Sequence, residues 1–184
     1  MSSTPEVLRR TGGREIHTVV FDQATIARRV AELGVEITAA YPEGDLLVLG
    51  LLKGSFIFLG DLVRQIERPL QVDFLVASSY GAERTPGGEV RLLYDPETRL
   101  EGKHILLVED IIDSGRTLTR LLGVLAERRP VSLGVCALLH KHLAPAPPKG
   151  LRFVGFSAPP KFLVGYGLDH AEDFRHLPFI ADLA

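Results

Sequence analysis

Two hydrophobic rhythms alternate along the chain. Ile26, Val30, Leu33 and Ile37 recur at helical spacing, which predicts a helix with one apolar face, and Asp22 is a suitable N-cap for it. DLLVLGLLK (45–53) is apolar at odd and even positions alike, which predicts a central strand buried on both faces. Phe56, Leu59, Val63 and Ile66 predict a second helix, stopped by Pro69. QVDFLVASSY (71–80) reads as a strand, GAERTPGGE (81–89) as a charged, turn-rich loop, and VRLLY (90–94) as a short strand. KHILLVED (103–110) is again a buried strand. Gly115 to Arg128 is predicted helical, with Leu118, Leu121, Leu122 and Leu125 on one face. VSLGVCALL (131–139) and LRFVGFS (151–157) predict further strands, separated by the Pro-rich LAPAPPKG. The segment before IHTVV looks loosely tied down, and the tail from Lys161 has a mixed pattern.

Apolar strands alternating with one-faced helices predict an α/β fold: a mostly parallel, twisted sheet flanked by helices on both faces. Ligands of such sheets bind beyond the carboxyl ends of the strands. Lys53–Gly54, Ser79–Tyr80 and Glu109–Asp110 all fall at predicted strand ends, so they are expected to share one rim.

Composition narrows the possibilities. The 184 residues favour one domain with a substantial core. Hydrophobic residues make up 46% and charged residues 24%, an ordinary globular mixture. A net charge of -2 argues against a dedicated nucleic-acid binder. No apolar run reaches membrane-spanning length and no signal peptide is recognised, so a cytoplasmic location is expected. The single cysteine, Cys136, lies in an apolar run and is read as a small buried hydrophobe. His140 and His142 point the same way at a strand end, but no third metal ligand is obvious beside them.

The chemistry concentrates in ILLVEDIIDSGRT (105–117). Glu109 and Asp110 follow a buried strand, Asp113 sits at the turn, and Ser114, Gly115, Arg116 and Thr117 open a helix. Backbone N–H groups at a helix start lack internal partners and favour an anion. Carboxylates accept bonds from sugar hydroxyls, and Mg²⁺ can neutralise a second phosphate group. The combination suggests a sugar phosphate, with hydroxyls on Glu109 and Asp110 and phosphate on residues 114–117. The competing reading makes these groups solvated helix caps. There is no G-x-x-x-x-G-K-[ST], and GYGLDH (165–170) has His170 where a dinucleotide motif needs its third glycine.

LVEDIIDSGRT resembles the phosphoribosyl pyrophosphate motif of the type I phosphoribosyltransferases. With LLKGSFIFLGDL (51–62), VDFLVASSYG (72–81), ALLHKHLAP (137–145) and KFLVGYGLDHAEDFRHLP (161–178), the chain resembles their hypoxanthine-guanine branch from about residue 16 to residue 180. The resemblance implies one phosphoribosyltransferase domain over 1–184, with a small hood built from the N-terminal and C-terminal segments. It implies Mg²⁺-dependent transfer of a 5-phosphoribosyl group from phosphoribosyl pyrophosphate to N9 of hypoxanthine or guanine, in purine salvage. A xanthine-preferring enzyme and a regulatory RNA-binding relative are the alternatives.

Roles follow from the resemblance position by position. Glu109 and Asp110 would hold the ribose hydroxyls, directly or through Mg²⁺, and Asp113 would face purine N7 as the proton-transfer group. Ser114, Gly115, Arg116 and Thr117 would cradle the 5′-phosphate. Lys53, Gly54 and Arg175 would meet pyrophosphate, with the Leu52–Lys53 peptide often cis in relatives. Ser79 and Tyr80 would belong to a mobile loop. Lys141 would donate to purine O6, Phe162 would stack on the base, Leu163 would meet its edge, and Asp169 would contact Mg²⁺. A homodimer or homotetramer is implied. Each residue also has a plainer reading: Phe162 as a core aromatic, Tyr80 as rim packing, Lys53 as a surface stem, Asp169 as the cap of a helical AEDF segment, and Arg175 as a surface partner of Asp173 or Glu172.

Overall fold

The structure is a computed structural model that describes residues 5–14, 16–79, 90–143 and 146–183. After a short helix α1 (Pro5–Arg10) and strand β1 (Ile16–Phe21), the chain forms α2 (Gln23–Ala40), β2 (Leu46–Leu51), α3 (Phe56–Val63), β3 (Gln71–Ser79) and β4 (Val90–Tyr94). It continues through β5 (His104–Ile112), α4 (Arg116–Ala126), β6 (Ser132–His140), β7 (Leu151–Ser157), β8 (Leu163–Val164) and β9 (Ile180–Leu183).

The main sheet has the order β4-β3-β2-β5-β6-β7. Its pairs are parallel except β3–β4, which is antiparallel. Successive strands therefore run outward from β2 on one side and from β5 on the other. The crevice between β2 and β5 is the point where strand order reverses, the favoured ligand position in an open α/β sheet.

Both faces are covered. Ile26, Val30, Leu33 and Ile37 of α2 are buried with Phe58, Leu59 and Leu62 of α3 against Val48, Leu106 and Val108. The opposite face packs Leu118, Leu121, Leu122 and Leu125 of α4 on Leu47, Leu49, Leu107 and Val135. Asp22 caps α2 as its position suggests, accepting the Thr25 N–H at 2.7 Å. A small second sheet, β1-β9-β8, joins the beginning of the chain to its end and forms the hood. Among the described residues no helix is long and apolar enough to cross a membrane.

Several boundaries differ from the sequence expectations. α3 ends at Val63 rather than running to Pro69. The chain turns there, with Gln65 N–H on Leu62 O, yet Ile66 still reaches the same core, so the apolar rhythm outlasts the helix. β5 does not stop at the acids: its ladder with β6 runs on to Ile112–His140. α4 begins at Arg116, leaving Ser114 and Gly115 in the turn before it. The N-terminal segment is better anchored than its composition suggests, because Thr11 is buried and its hydroxyl donates to Arg14 O at 2.6 Å. AEDF is not helical: Ala171 and Glu172 are both left-handed, at φ 51° and 65°, in a tight reversal between His170 and Asp173.

Candidate active site

The pairing of β5 with β2 ends at Gly50–Val108, so Glu109 and Asp110 project past β2 toward the turn that follows it. Adjacent strand residues point to opposite faces, and the two acids separate accordingly. Glu109 lines a cavity of about 330 Å³ together with Asp113, Ser114, Gly115, Arg116 and Thr117. That volume suits a small phosphorylated sugar. Asp110 faces the β2–α3 turn, where a Cβ added to Gly54 would lie 1.5 Å from Asp110 Oδ2. Only glycine lets that backbone approach the carboxylate so closely. The Leu52–Lys53 peptide in the same turn is cis.

Both carboxyls are perturbed. Burial, and then the neighbouring Asp110, push the Glu109 carboxyl well above the usual carboxylate range. Burial pushes Asp110 up to about 6, against hydrogen bonding from Ile111 N–H and the charge of Arg175. Glu109 Oε2 is buried without a hydrogen-bond partner. An unpartnered buried carboxylate oxygen is costly unless a ligand supplies a donor or cation. These groups fit the hard oxygen-ligand chemistry of Mg²⁺. No cluster of three His, Cys, Asp or Glu side chains forms a metal cage among the described residues. A cation here would draw its remaining oxygens from substrate and water, as Mg²⁺ commonly does beside phosphates.

The turn into α4 has the shape of an anion cup. Gly115 is its N-cap at φ 68°, and no side chain caps the helix. The first turn of the helix therefore brings N–H groups without a side-chain cap, and the positive end of the helix dipole, to residues that line the cavity. At its edge, Lys141 Nζ contacts Asp113 Oδ1 at 2.9 Å, bringing a donor-only cation to a carboxylate. Lys141 is held there because its own N–H bonds Ile112 O at 3.0 Å, just beyond β6. Phe162 is 56% exposed, so it is not a core aromatic, and His170 meets its ring edge-on at 5.4 Å between centroids. Leu163 is buried in β8 beside it.

A second cluster faces Asp110 from the hood. Arg175 Nη2 pairs with Asp169 Oδ1 at 2.8 Å, and its Nη1 donates to Gly167 O at 2.8 Å. Asp169 Oδ2 accepts the Glu172 N–H at 2.9 Å, so the capping bond exists although the helix does not. Lys53 Nζ reaches Glu172 Oε2 at 3.2 Å. Lys53 and then Arg175 hold the Glu172 carboxyl below its ordinary range. Arg175 is paired with Glu172 and Asp169, whereas Asp173 pairs with Arg14.

Three features of this cluster are absent from the sequence expectations. Glu172 bridges the two cations. Tyr166 Oη donates to Asp61 Oδ2 at 2.7 Å, fastening the hood to α3. Gly167 sits where a Cβ would be 2.1 Å from Gly54 O, pressing the hood onto the β2–α3 turn. The glycines of GYGLDH were the available signal: they serve close backbone contact, not a dinucleotide. Ser79 ends β3, while Tyr80 and the 81–89 loop lie outside the described residues. The His140 and His142 rings lie 3.9 Å apart between centroids, tilted at 45°, with no third ligand among the described residues.

Comparison with known proteins matches the model of the phosphoribosyl transferase domain to residues 7–171. The hypoxanthine phosphoribosyltransferase of Salmonella typhimurium is 44% identical over 168 residues, covering 89% of this chain and 94% of that protein. The hypoxanthine-guanine phosphoribosyltransferase of Dictyostelium discoideum is 44% identical over 169 residues, covering 90% and 94%. A crystal structure of a hypoxanthine-guanine phosphoribosyltransferase from Bacillus anthracis superposes with a TM-score of 0.87 at 38% identity, covering 92% of this chain and 100% of that one. A switch-point crevice lined by paired acids, an anion cup at the following helix, and these matches over most of the chain lead to one conclusion: the chain belongs to the phosphoribosyltransferase family.

Proposed function

We propose that this protein transfers the 5-phosphoribosyl group of phosphoribosyl pyrophosphate to N9 of hypoxanthine or guanine. The products are IMP or GMP and pyrophosphate, the reaction of purine salvage. The observation that carries this reading is the Lys141–Asp113 contact of 2.9 Å at the edge of the cavity. It sets a cation suited to a purine oxo group beside a carboxylate suited to a ring proton.

The 5′-phosphate sits in the cup of Ser114, Gly115, Arg116 and Thr117, where backbone N–H groups and the dipole of α4 hold it. Glu109 and Asp110 orient the ribose hydroxyls. Pyrophosphate lies toward Lys53, Gly54 and Arg175. The base presents its O6 to Lys141 and its N7 to Asp113, which stand side by side, stacks on Phe162, and meets Leu163 at its other edge. As the C1′–oxygen bond breaks, its electron pair leaves with pyrophosphate and Arg175 stabilises that charge. N9 closes on C1′, and Asp113 accepts or shares the proton that the purine ring gives up. Lys141, a donor with no acceptor, repels the amino-bearing edge of adenine, which selects six-oxopurines. Glu109, Asp110 and Asp169 are the side chains that would hold Mg²⁺, which when bound supplies neutralisation of the diphosphate.

A cytoplasmic enzyme acting on small molecules agrees with the composition and with the buried, unpaired Cys136. A homodimer or homotetramer agrees with the bare face of β3, where Val72 and Phe74 remain 42% and 36% exposed on the same side of the strand.

The test is a product assay with phosphoribosyl pyrophosphate, Mg²⁺ and each of hypoxanthine, guanine, xanthine and adenine. Nucleotide from hypoxanthine or guanine, and little from adenine, is the expected result. A clear preference for xanthine would move the substrate assignment, and a preference for adenine would remove the selective role of Lys141.

A further inference from the structure

One oxygen, Glu172 Oε2, lies 3.2 Å from Lys53 Nζ and 3.3 Å from Arg175 Nη2. A single anionic atom thus bridges two cations that come from separate parts of the fold, the β2–α3 turn and the hood. The bridge is built, not incidental to a long side chain. Ala171 and Glu172 are consecutive non-glycine residues at φ 51° and 65°, a conformation that tight reversals normally reserve for Asn-Gly or Asp-Gly. Asp169 Oδ2 pins the turn through the Glu172 N–H at 2.9 Å. The reversal is closed in both directions, His170 N–H to Asp173 O at 3.2 Å and Asp173 N–H to His170 O at 3.1 Å. The unfavourable backbone is held in place by these bonds, and the side chain it carries points at the cation pair.

We propose that Glu172 is an internal occupant of the pyrophosphate subsite: its carboxylate holds Lys53 and Arg175 together when the subsite is empty and is displaced when pyrophosphate arrives. The inference rests on the assignment of Lys53 and Arg175 to pyrophosphate made above. A carboxylate oxygen and a phosphoryl oxygen present the same charge-assisted acceptor to an ammonium and a guanidinium, so they compete for the same donors. Two consequences follow. The cations stay preorganised without the diphosphate, which lowers the ordering cost when it binds. Pyrophosphate also leaves against a returning carboxylate, so Glu172 weakens product retention. Both partners of the Lys53–Glu172 pair are exposed, at 66% and 65% of their side-chain surface, so the competition is modest and screened by salt.

The test is product inhibition by inorganic pyrophosphate, in the presence of Mg²⁺, for wild type, Glu172→Gln, Asp173→Asn and Lys53→Ala. Glutamine keeps the shape and removes the competing charge. Pyrophosphate should inhibit Glu172→Gln at about three- to tenfold lower concentration, the range that two exposed ion pairs can supply. That gap should narrow as salt is raised. Asp173→Asn removes an equal charge at the next residue, whose carboxylate faces Arg14 instead, and should stay within about twofold of wild type. Unchanged inhibition in Glu172→Gln, or an equal shift in Asp173→Asn, would overturn the proposal. Failure of the underlying assignment has a different signature: pyrophosphate would inhibit wild type and Lys53→Ala alike.

Discussion

Asp110 is predicted to destabilise the ligand-free protein at neutral pH, and Asp110→Asn to relieve that cost. Burial raises its carboxyl from 3.8 to about 6 in the folded chain. A folded-state value above the unfolded one means that the protonated form is favoured by folding. The stability contributed by that protonation is fully present below the unfolded value and is lost as the pH rises through about 6. At 1.36 kcal/mol per pH unit, the displacement corresponds to roughly 3 kcal/mol at pH 8. For a chain of this length that is about 6–12 °C in Tm. Asparagine keeps an oxygen for the Ile111 N–H, which Asp110 Oδ1 accepts at 2.8 Å, and carries no charge at any pH. Thermal unfolding of both proteins without ligand, at pH 4 and pH 8, reads the effect directly. The melting curves should nearly coincide at pH 4, and Asp110→Asn should melt several degrees higher at pH 8. Addition of phosphoribosyl pyrophosphate with Mg²⁺ should then raise the wild type, by about 2.7 kcal/mol at a hundredfold excess over Kd, and leave the variant nearly unmoved. The same Tm difference at both pH values, or a variant less stable at pH 8, would refute the placement of a strained acid in the crevice.

Other perturbations separate the remaining parts of the site. Asp113→Asn should lower kcat by roughly 10²–10⁴-fold with little change in purine KM, and a near-normal kcat in steady-state kinetics would leave Asp113 as no more than the ion-pair partner of Lys141. Lys141→Ala should raise the KM for hypoxanthine and narrow the preference for oxo over amino purines, whereas unchanged kinetics with both base types would remove it from the base subsite. Gly54→Ala must displace Asp110 or the turn, since its Cβ would lie 1.5 Å from Asp110 Oδ2. It should cost on the order of 10²-fold in kcat/KM for phosphoribosyl pyrophosphate, read against an unchanged purine KM. Leu121→Ala, in the fully buried face of α4, should lose about 2–5 kcal/mol in denaturant unfolding without touching substrate.

The parts of the fold that follow a repeating physical rule could be read from the sequence. The buried face of α2 and the all-apolar central strands are set by periodicity and burial. The acid-rich end of ILLVEDIIDSGRT stands out because buried strands do not carry carboxylates without a partner. The parts that escaped depend on contacts between distant segments. β5 continues through Glu109 and Asp110 because β6 keeps offering ladder partners as far as His140, which no local pattern announces. The AEDF reversal lacks the Asn-Gly signal of such turns, so its Ala171 and Glu172 conformations are fixed by Asp169 and the hood instead. The Tyr166–Asp61 bond and the Gly167–Gly54 contact each join residues more than a hundred positions apart. Glycines in GYGLDH marked a need for close approach without saying what would approach.

The direct measurement is calorimetric titration of phosphoribosyl pyrophosphate with Mg²⁺ into the folded wild type and into Glu109→Gln/Asp110→Asn. Saturable one-site binding in the wild type, weakened by about 100-fold or more in the natively folded double variant, is the predicted outcome. Absence of heat in the wild type, or equal affinity in both proteins, would contradict a pentose-phosphate grip at the β5–α4 crevice.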